Sequence, residues 1–201
     1  MPGAISIGAM PGHILSGSGP KGRVANLSRF TAADATGLAS YTPDIGGAWT
    51  VVTGAPTIES NKASDNSVDI QATVASGVAN CTISVNLTAN NDDFQGIVFR
   101  RQGASDYMII GLDNDDNIRH WRQIAAVWDS PNSAAFTVSN ATTYALKLVL
   151  SGTSMKFYVD GVLYINVSET NFSGATIHGI YTDGVTWNAD VNWDEFKIEV
   201  P

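Results

Sequence analysis

The sequence has little charge, and basic residues are the scarcer kind. Of its 201 residues 15% are charged, with 19 acidic residues against 11 basic ones. Ordinary soluble domains carry about 25% charged residues, and a protein that binds nucleic acid needs a net basic charge or a basic patch. The formal charge of −8 therefore argues against a nucleic-acid partner.

Cysteine and long apolar runs are also scarce. The single cysteine, Cys81, excludes a fold held by internal disulfides. It begins an alternating apolar run with Ile83, Val85 and Leu87, which predicts a small buried residue rather than a reactive thiol. A catalytic thiol needs a nearby histidine, and the three histidines are scattered along the sequence. No apolar run approaches the roughly 18 residues that span a membrane, so no membrane partner is expected.

Glycine and proline are concentrated in the first 27 residues, where they leave little room for a helix or a long strand. The same segment contains large apolar residues, among them Ile5, Ile7, Ile14 and Leu15. An extended arm over residues 1–27 that packs these side chains on a neighbouring subunit explains both features. A disordered leader, or a strap across the domain's own surface, explains them equally well.

From residue 28 onward the commonest hydrophobic period is two, which is typical of half-buried strands. Only Thr31–Ser40 could form a helical turn or two. The predicted strands are Trp49–Thr53, Thr57–Ser60, Val68–Ala75, Cys81–Leu87, Gln95–Arg101, Tyr107–Leu112, Asn117–Ala126, Ala135–Val138, Leu146–Ser151, Met155–Asp160, Val162–Val167, Thr176–Thr182 and Asp194–Val200. Many short strands without crossover helices predict an all-β domain, either a two-sheet sandwich or a closed barrel.

Three segments resemble a known fold family. Tyr144–Tyr164, YALKLVLSGTSMKFYVDGVLY, resembles the concanavalin A-like, or laminin-G-like, jelly rolls, in which a strand, a glycine turn, a second strand and an Asp-Gly hairpin follow one another. Trp193–Val200, WDEFKIEV, is similar to the last strand of that fold. Leu38–Val52, LASYTPDIGGAWTVV, looks like the opening of jelly-roll domains in bacteriophage structural proteins and in some secreted glycan-binding proteins. The resemblance implies an antiparallel two-sheet jelly-roll sandwich over residues 28–201 with an extended N-terminal arm.

The densest acidic segment lies between two predicted strands. Its alternate residues Asp113, Asp115 and Asn117 offer oxygen ligands that suit a calcium ion. An EF-hand loop also needs glycine at its sixth position and glutamate at its twelfth, where this sequence has Ile118 and Ile124. A solvated hairpin tip is the favoured alternative, and no other cofactor is expected.

A polar and aromatic set follows on the next strand. Arg119, Trp121 and Gln123 share one strand face. Such a set suits a sugar, because an aromatic ring stacks on the sugar's apolar face while Arg or Gln bonds its hydroxyls. Three further residues extend this candidate site: Tyr107, Arg100 and Trp128. In the favoured alternative Trp121 belongs to the core and the arginines lie at a rim or a subunit contact.

Paired catalytic carboxylates are missing from the strand patterns. Glycoside hydrolysis needs two carboxyl groups about 5–10 Å apart, and the Glu-x-Asp-x-x-Glu pattern of jelly-roll glucanases does not occur. Asp194 and Glu195 are adjacent, so an extended strand would turn them to opposite faces. The sequence therefore predicts a protein without enzymatic activity.

Together these features predict a structural protein of the bacteriophage virion, a capsid decoration or fibre-like protein anchored to other virion subunits by its arm. A homo-oligomer is expected, because closed symmetric assemblies are the usual form. The alternative function is a lectin-like carbohydrate-binding module. The two are compatible, since a surface virion protein can bind host polysaccharide.

Overall fold

The computed structural model describes residues 22–64, 69–90, 94–183 and 191–201. Within these ranges the chain forms sixteen β-strands and one short 3₁₀ helix, Leu38–Ser40. The strands are β1 Val24–Ser28, β2 Thr36–Gly37, β3 Trp49–Thr53, β4 Thr57–Glu59, β5 Lys62–Ser64, β6 Ile70–Ala75, β7 Cys81–Ala89, β8 Phe94–Arg101, β9 Tyr107–Asp113, β10 Asn117–Ile124, β11 Val127–Ala135, β12 Thr142–Ser151, β13 Ser154–Val159, β14 Val162–Ser168, β15 Ile177–Asp183 and β16 Asn192–Glu199.

The strands form two antiparallel sheets. The nine-stranded sheet has the order β14-β13-β12-β7-β16-β5-β4-β2, with β1 also paired to β16. The seven-stranded sheet has the order β11-β10-β9-β8-β15-β6-β3. This two-sheet sandwich confirms the fold class that the sequence predicts. No helix in the described ranges has the length and apolarity to cross a bilayer.

The main core lies between the sheets, because alternate residues of each strand point to the same face. In β7 every second residue is buried, from Cys81 to Ala89. The largest side chains of this core that are fully buried include Trp193, Phe30, Phe99, Phe157, Phe196, Leu38, Ile58, Ile83, Leu87 and Ile97. We call the face of each sheet that points away from the other sheet its outer face.

The first described strand belongs to the sandwich. β1 pairs with β16, with Leu27 opposite Lys197 and Ser28 opposite Phe196. The buried Ser28 hydroxyl accepts a hydrogen bond from Trp49 Nε1 at 3.1 Å. The predicted boundary at residue 28 therefore falls inside β1, and residues 24–27 of the predicted arm are part of the nine-stranded sheet. The arm residues Ile5, Ile7, Ile14 and Leu15 lie outside the described residues.

The edge strand β11 differs from the prediction. The sequence predicts a strand at Ala135–Val138, whereas the structure has β11 over Val127–Ala135. Pro131 and its polar neighbours are typical of a turn, but an edge strand tolerates proline because the nitrogen need not donate to the ladder. The pairing with β10 shifts register between His120 and Arg122, which accommodates the proline.

Other local predictions from the sequence can be compared with the structure. Asp160 and Gly161 have φ values of 49° and 79°, so the predicted Asp-Gly hairpin between β13 and β14 is confirmed. Of the segment Thr31–Ser40, only Leu38–Ser40 is helical.

Candidate functional site

The outer face of the seven-stranded sheet carries a second apolar cluster. Its buried members, Phe94, Val98, Tyr107, Ile109 and Tyr181, are 0–7% exposed although they point away from the main core. They come from β8, β9 and β15, which are neighbours in the sheet. These central strands are therefore buried on both faces.

Four aromatic rings follow one another across this face. The centroids of Phe94 and Tyr181 are 6.0 Å apart, those of Tyr181 and Tyr107 are 6.3 Å apart, and those of Tyr107 and Trp128 are 5.4 Å apart. The Tyr107 and Trp128 rings meet edge to face at 90°, an arrangement that aromatic pairs favour. Burial raises the pKa of both tyrosines, so their hydroxyls stay protonated.

The two tyrosine rings meet across an intervening strand. Tyr107 lies on β9 and Tyr181 on β15, with β8 between them. Two strand spacings amount to about 10 Å, so the 6.3 Å between the rings means that they lean towards each other over β8. Tyr181 is opposite Gly96 on β8, whereas Met108, next to Tyr107, is opposite Phe99, so the rings also lean along the strands, and Val98 of the same cluster lies between these levels.

The structure brings three of the candidate sugar-binding residues together on β10. Arg119 pairs with Gly111, Trp121 with Ile109 and Gln123 with Tyr107 across β9. These side chains share the outer face with the aromatic cluster.

Trp121 packs against this outer cluster rather than the main core. The Arg119 guanidinium carbon lies 5.7 Å from the centroid of the Trp121 ring, within cation–π range. Tyr107 belongs to the same cluster, and its ring packs against that of Trp128. The alternative in which Trp121 is a core residue therefore does not describe its position.

Trp128 is the most exposed tryptophan of this face. It lies opposite Gln123 on β11, and 38% of its surface is exposed. We call Arg119, Trp121, Gln123 and Trp128 the platform. Its two indole rings supply apolar stacking surface, and its polar side chains supply hydrogen-bond donors and an acceptor.

The hairpin that carries the platform has a strained turn. Ala125 and Ala126, between β10 and β11, have φ values of 50° and 66°. Left-handed backbone is unfavourable for alanine because its Cβ crowds the following carbonyl. The Ala125 N–H donates to Asp106 Oδ1 at 2.9 Å and the Ala126 N–H donates to the Ser105 carbonyl at 3.3 Å. These bonds hold the turn beside Trp128.

The acidic segment, for which the sequence favours a hairpin tip over a calcium site, is bridged by an arginine. Arg119 Nε lies 3.0 Å from Asp113 Oδ2, and its Nη2 forms an ion pair with Asp115. Asn117 Nδ2 donates to the Asp115 carbonyl at 2.9 Å. In the described part of the chain no group of three or more His, Cys, Asp or Glu side chains could hold a metal ion. The geometry is that of a hairpin tip closed by a guanidinium.

Arg100 is separated from the platform. It has a φ of 50° at an irregularity where β8 loses register with β15, and its side chain is fully buried. Its Nη1 donates to the Glu169 carbonyl at 3.2 Å, and its Nη2 donates to the Gly152 carbonyl. The bulge turns into the interior a residue that alternation along the strand would place on the outer face. The prediction that Arg100 extends the sugar site is wrong for this physical reason.

The fold also brings Cys81 and His178 together, which the sequence spacing does not reveal. Cys81 Sγ lies 3.8 Å from His178 Nε2. Burial raises the pKa of the thiol to about 12 and lowers the pKa of the imidazole to about 4. The histidine already donates to the Val78 carbonyl at 3.0 Å and accepts the Arg100 N–H at 3.2 Å. A protonated, buried thiol of this kind is a packing residue rather than a nucleophile.

A further ion-pair network connects the platform hairpin to the sandwich. Arg122 Nε and Nη2 donate to the two carboxylate oxygens of Asp129 at 2.7 and 2.8 Å, and Nη1 donates to Glu169 at 3.2 Å. The guanidinium holds the pKa of Asp129 below its usual range. Because Arg122 lies on β10 and Asp129 on β11, the bidentate pair connects the two platform strands.

No protein-family model matches the chain, and no curated protein matches it.

Solved structures share the fold. The carbohydrate-binding module CBM66 from Bacillus subtilis matches 76% of this chain and 91% of its own, with a TM-score of 0.55 and 18% identity. The galectin LEC-6 from Caenorhabditis elegans matches 67% of this chain and 91% of its own, with a TM-score of 0.50 and 15% identity. SCLam, a non-specific endo-β-1,3(4)-glucanase of family GH16, matches 90% of this chain and 92% of its own, with a TM-score of 0.62 and 8% identity. Likenesses at such identities show the fold alone, a concanavalin-like jelly-roll sandwich.

Proposed function

We propose that this protein is a carbohydrate-binding domain that holds an uncharged sugar on the platform of the seven-stranded sheet. The observation that carries the proposal is the juxtaposition of Trp121 and Trp128 with Arg119 and Gln123 on one outer face. The named structural neighbours include a carbohydrate-binding module and a galectin, which favours the lectin-like alternative over the virion role.

Stacking supplies the apolar part of the binding. A pyranose presents a patch of C–H groups on one face, and an exposed indole ring covers such a patch well. Trp128 offers this surface, and the edge-to-face contact with Tyr107 keeps its ring in place. Since the ring is already ordered, little side-chain entropy is lost when the sugar binds.

The charges around Arg119 favour an uncharged ligand. Arg119 is paired with Asp113 and Asp115, so these three side chains together carry a net negative charge. An anionic sugar would be repelled there, whereas hydroxyl groups can accept from the remaining guanidinium N–H groups and bond to the Gln123 amide.

Affinity electrophoresis of the full chain through gels containing neutral polysaccharides, laminarin and xylan among them, tests the proposal. The wild type is expected to be retarded by at least one neutral polysaccharide. Trp128→Ala and Trp121→Ala should each weaken the affinity about tenfold, a loss of about 1.4 kcal/mol.

Leu163→Ala is the matched control, because Leu163 is an exposed apolar residue of the other sheet, 45% accessible, that is not part of the platform. It should bind as the wild type does. The proposal fails if the wild type is retarded by none of a broad panel of neutral polysaccharides, or if Leu163→Ala weakens binding as much as Trp128→Ala.

The bacteriophage virion role and the homo-oligomer stay predictions. Their main support is the apolar and glycine-rich segment that ends at residue 27, most of which lies outside the described residues. A glycan-binding platform is compatible with them.

A further inference from the structure

We infer that a groove on the outer face of the nine-stranded sheet is a second binding site, for a carboxylated sugar such as a uronic acid. The groove has a volume of about 430 Å³, lies on the sheet opposite the platform and is formed by β7, β12 and β16 with the end of β1. A volume in this range is typical of small-molecule sites.

The groove exists because small residues lie between long ones. Its floor includes Ser84 and Ala145. Lys147 on β12 and Lys197 on β16 are both directly opposite Ser84 on β7. Two strand spacings separate the lysine backbones by about 10 Å, so the two long side chains form opposite walls above a hydroxyl group.

The lining is basic in an acidic protein. Arg29, Lys147 and Lys197 contribute three cations against the single carboxylate of Glu195, whereas the whole chain has a formal charge of −8. Such local complementarity selects an anionic group. Arg29 is already paired with Asp44 at 3.1 Å, which makes the two lysines the main candidates.

Lys147 is the lysine of the groove without a carboxylate partner among the described residues. Its Nζ lies 4.3 Å from the centroid of the Tyr158 ring on β13, on the side of β12 away from Ser84, so the flexible side chain must leave this ring to meet an anion over β7. Lys197 pairs at 3.2 Å with Glu199, an exposed partner on its own strand. Exposed pairs of this kind are weak, so a bound carboxylate can compete for Lys197.

Glu195 lies at the other end of the groove from the Ser84 level. It has a φ of 51° at a bulge where β16 shifts register against β7 between Asp194 and Lys197. The bulge turns Asp194 and Glu195 to the same outer face, which corrects the expectation that they face opposite sides. Asn86 Nδ2 donates to Glu195 Oε2 at 3.3 Å.

The two ends of the groove therefore differ in chemistry. The lysines at the level of Ser84 suit a carboxylate, and the oxygens of Asn86 and Glu195, further along β7 and β16, accept hydrogen bonds from hydroxyls. A sugar acid presents both kinds of group on one ring. A simple anion satisfies only the lysine end, and a neutral sugar only the other end.

Isothermal titration of the full chain at low ionic strength tests the inference, with sodium glucuronate, glucose, sodium acetate and glucose 6-sulfate as probes. Glucuronate is expected to bind with a Kd about tenfold lower than that of each of the other three. The double substitution Lys147→Gln with Lys197→Gln should raise the glucuronate Kd about tenfold, and added salt should raise it for the wild type.

Two matched variants complete the test. Lys156→Gln removes a lysine from β13 of the same sheet that does not line the groove, and Trp128→Ala removes the platform ring; both should keep the wild-type Kd for glucuronate. The inference is overturned if glucuronate binds no more tightly than acetate or glucose, if the sulfate binds more tightly, or if Lys156→Gln weakens binding as much as the double variant. If Trp128→Ala left the binding of neutral polysaccharides unchanged, that result would contradict the proposed platform and not the groove.

Discussion

The outer faces of the two sheets are built in different ways. On the nine-stranded sheet, β7 alternates between buried and half-buried residues along its whole length. On the seven-stranded sheet, β8 and β9 are buried at nearly every position. Polar side chains such as Thr82 and Lys147 occupy the first outer face, whereas aromatic rings cover the second.

The difference shows that the aromatic face has requirements beyond those of a stable sandwich. One apolar face per sheet is enough to make the core of a two-layer fold. A second apolar face with exposed tryptophan at its edge adds little to that core and resembles a binding surface. The polar face instead binds through charge, which leaves the two faces complementary in the ligands they suit.

The largest expected effect is on a glycine of the aromatic face. A Cβ added at Gly179 would lie 1.9 Å from the Ala72 carbonyl oxygen, which belongs to the backbone of β6. Gly179→Ala should therefore lower the free energy of unfolding by about 3 kcal/mol or more. Gly37→Ala on the nine-stranded sheet is the matched control, because nothing lies within 4 Å of its added Cβ. Urea denaturation measures both variants. Equal decreases in the free energy of unfolding for Gly179→Ala and Gly37→Ala would contradict the expected difference between the two sheets.

The next largest effect of a single residue is the response to acid. His120 on β10 and His178 on β15 both belong to the seven-stranded sheet, and burial lowers the pKa of each from 6.5 to about 4. The unfolded chain binds protons at these sites between pH 6.5 and 4, while the folded protein does not. Stability should be complete above pH 6.5 and fall as the pH drops to about 4, by up to about 3 kcal/mol for each histidine.

Urea denaturation at several pH values checks this sign. His120→Gln removes one titrating group, so the decrease in unfolding free energy between pH 6.5 and 4 should be smaller than in the wild type, whatever the variant's stability at pH 7. An unchanged decrease would show that the buried imidazole does not control the acid response. Arg122, Asp129, Glu169 and Arg100 surround His120 and also influence its charge.

A smaller effect with the opposite sign is expected at the platform turn. Ala125 has a φ of 50°, so Ala125→Gly relieves a left-handed strain and should raise the free energy of unfolding by about 1 kcal/mol. Ala145→Gly, on the exposed outer face of β12, should instead lower the free energy of unfolding by about 0.5–1 kcal/mol. The reason is that glycine has more conformational freedom in the unfolded chain, and at this position there is no left-handed strain to relieve. Thermal unfolding of both variants measures the two changes in stability. The expectation of a strained platform turn is wrong if Ala125→Gly is also less stable than the wild type.

The smallest expected effect is that of calcium. Because Arg119 already occupies both Asp113 and Asp115 in ion pairs, added calcium should leave the thermal midpoint of the protein equal to that in a chelator. An ion that binds the folded state raises the midpoint by mass action, so a calcium-dependent increase that magnesium does not reproduce would favour the calcium site over the hairpin tip.

Much of the fold could be predicted because local patterns and tertiary burial agree. The run from Cys81 to Leu87 alternates in sequence and in burial, and the Asp160-Gly161 turn has the backbone that its residues favour. The strand β11 was missed because Pro131 is typical of a turn in any local reading, and only its edge position permits it. The position of Arg119, Trp121 and Gln123 on one face of their strand follows from the period of two alone.

The rest depended on irregularities that a period of two does not contain. Bulges at Arg100 and Glu195 each reverse the expected side of a charged residue, inward for the first and outward for the second. Cys81 and His178 meet because their strands belong to facing sheets, although 97 residues separate them. Local sequence carries no signal for either kind of event.

The sequence by itself determined the strand periodicity, the tight turns and the all-β class, since these depend on alternation and on residues with particular backbone preferences. The tertiary structure decided which of the two faces of each strand is covered, and by what. Registers across four strands bring Phe94, Tyr181, Tyr107 and Trp128 into one row of rings, and three strands enclose the groove above Ser84. Both surfaces consist of side chains from distant segments, and their proximity follows from pairing rather than from any single segment.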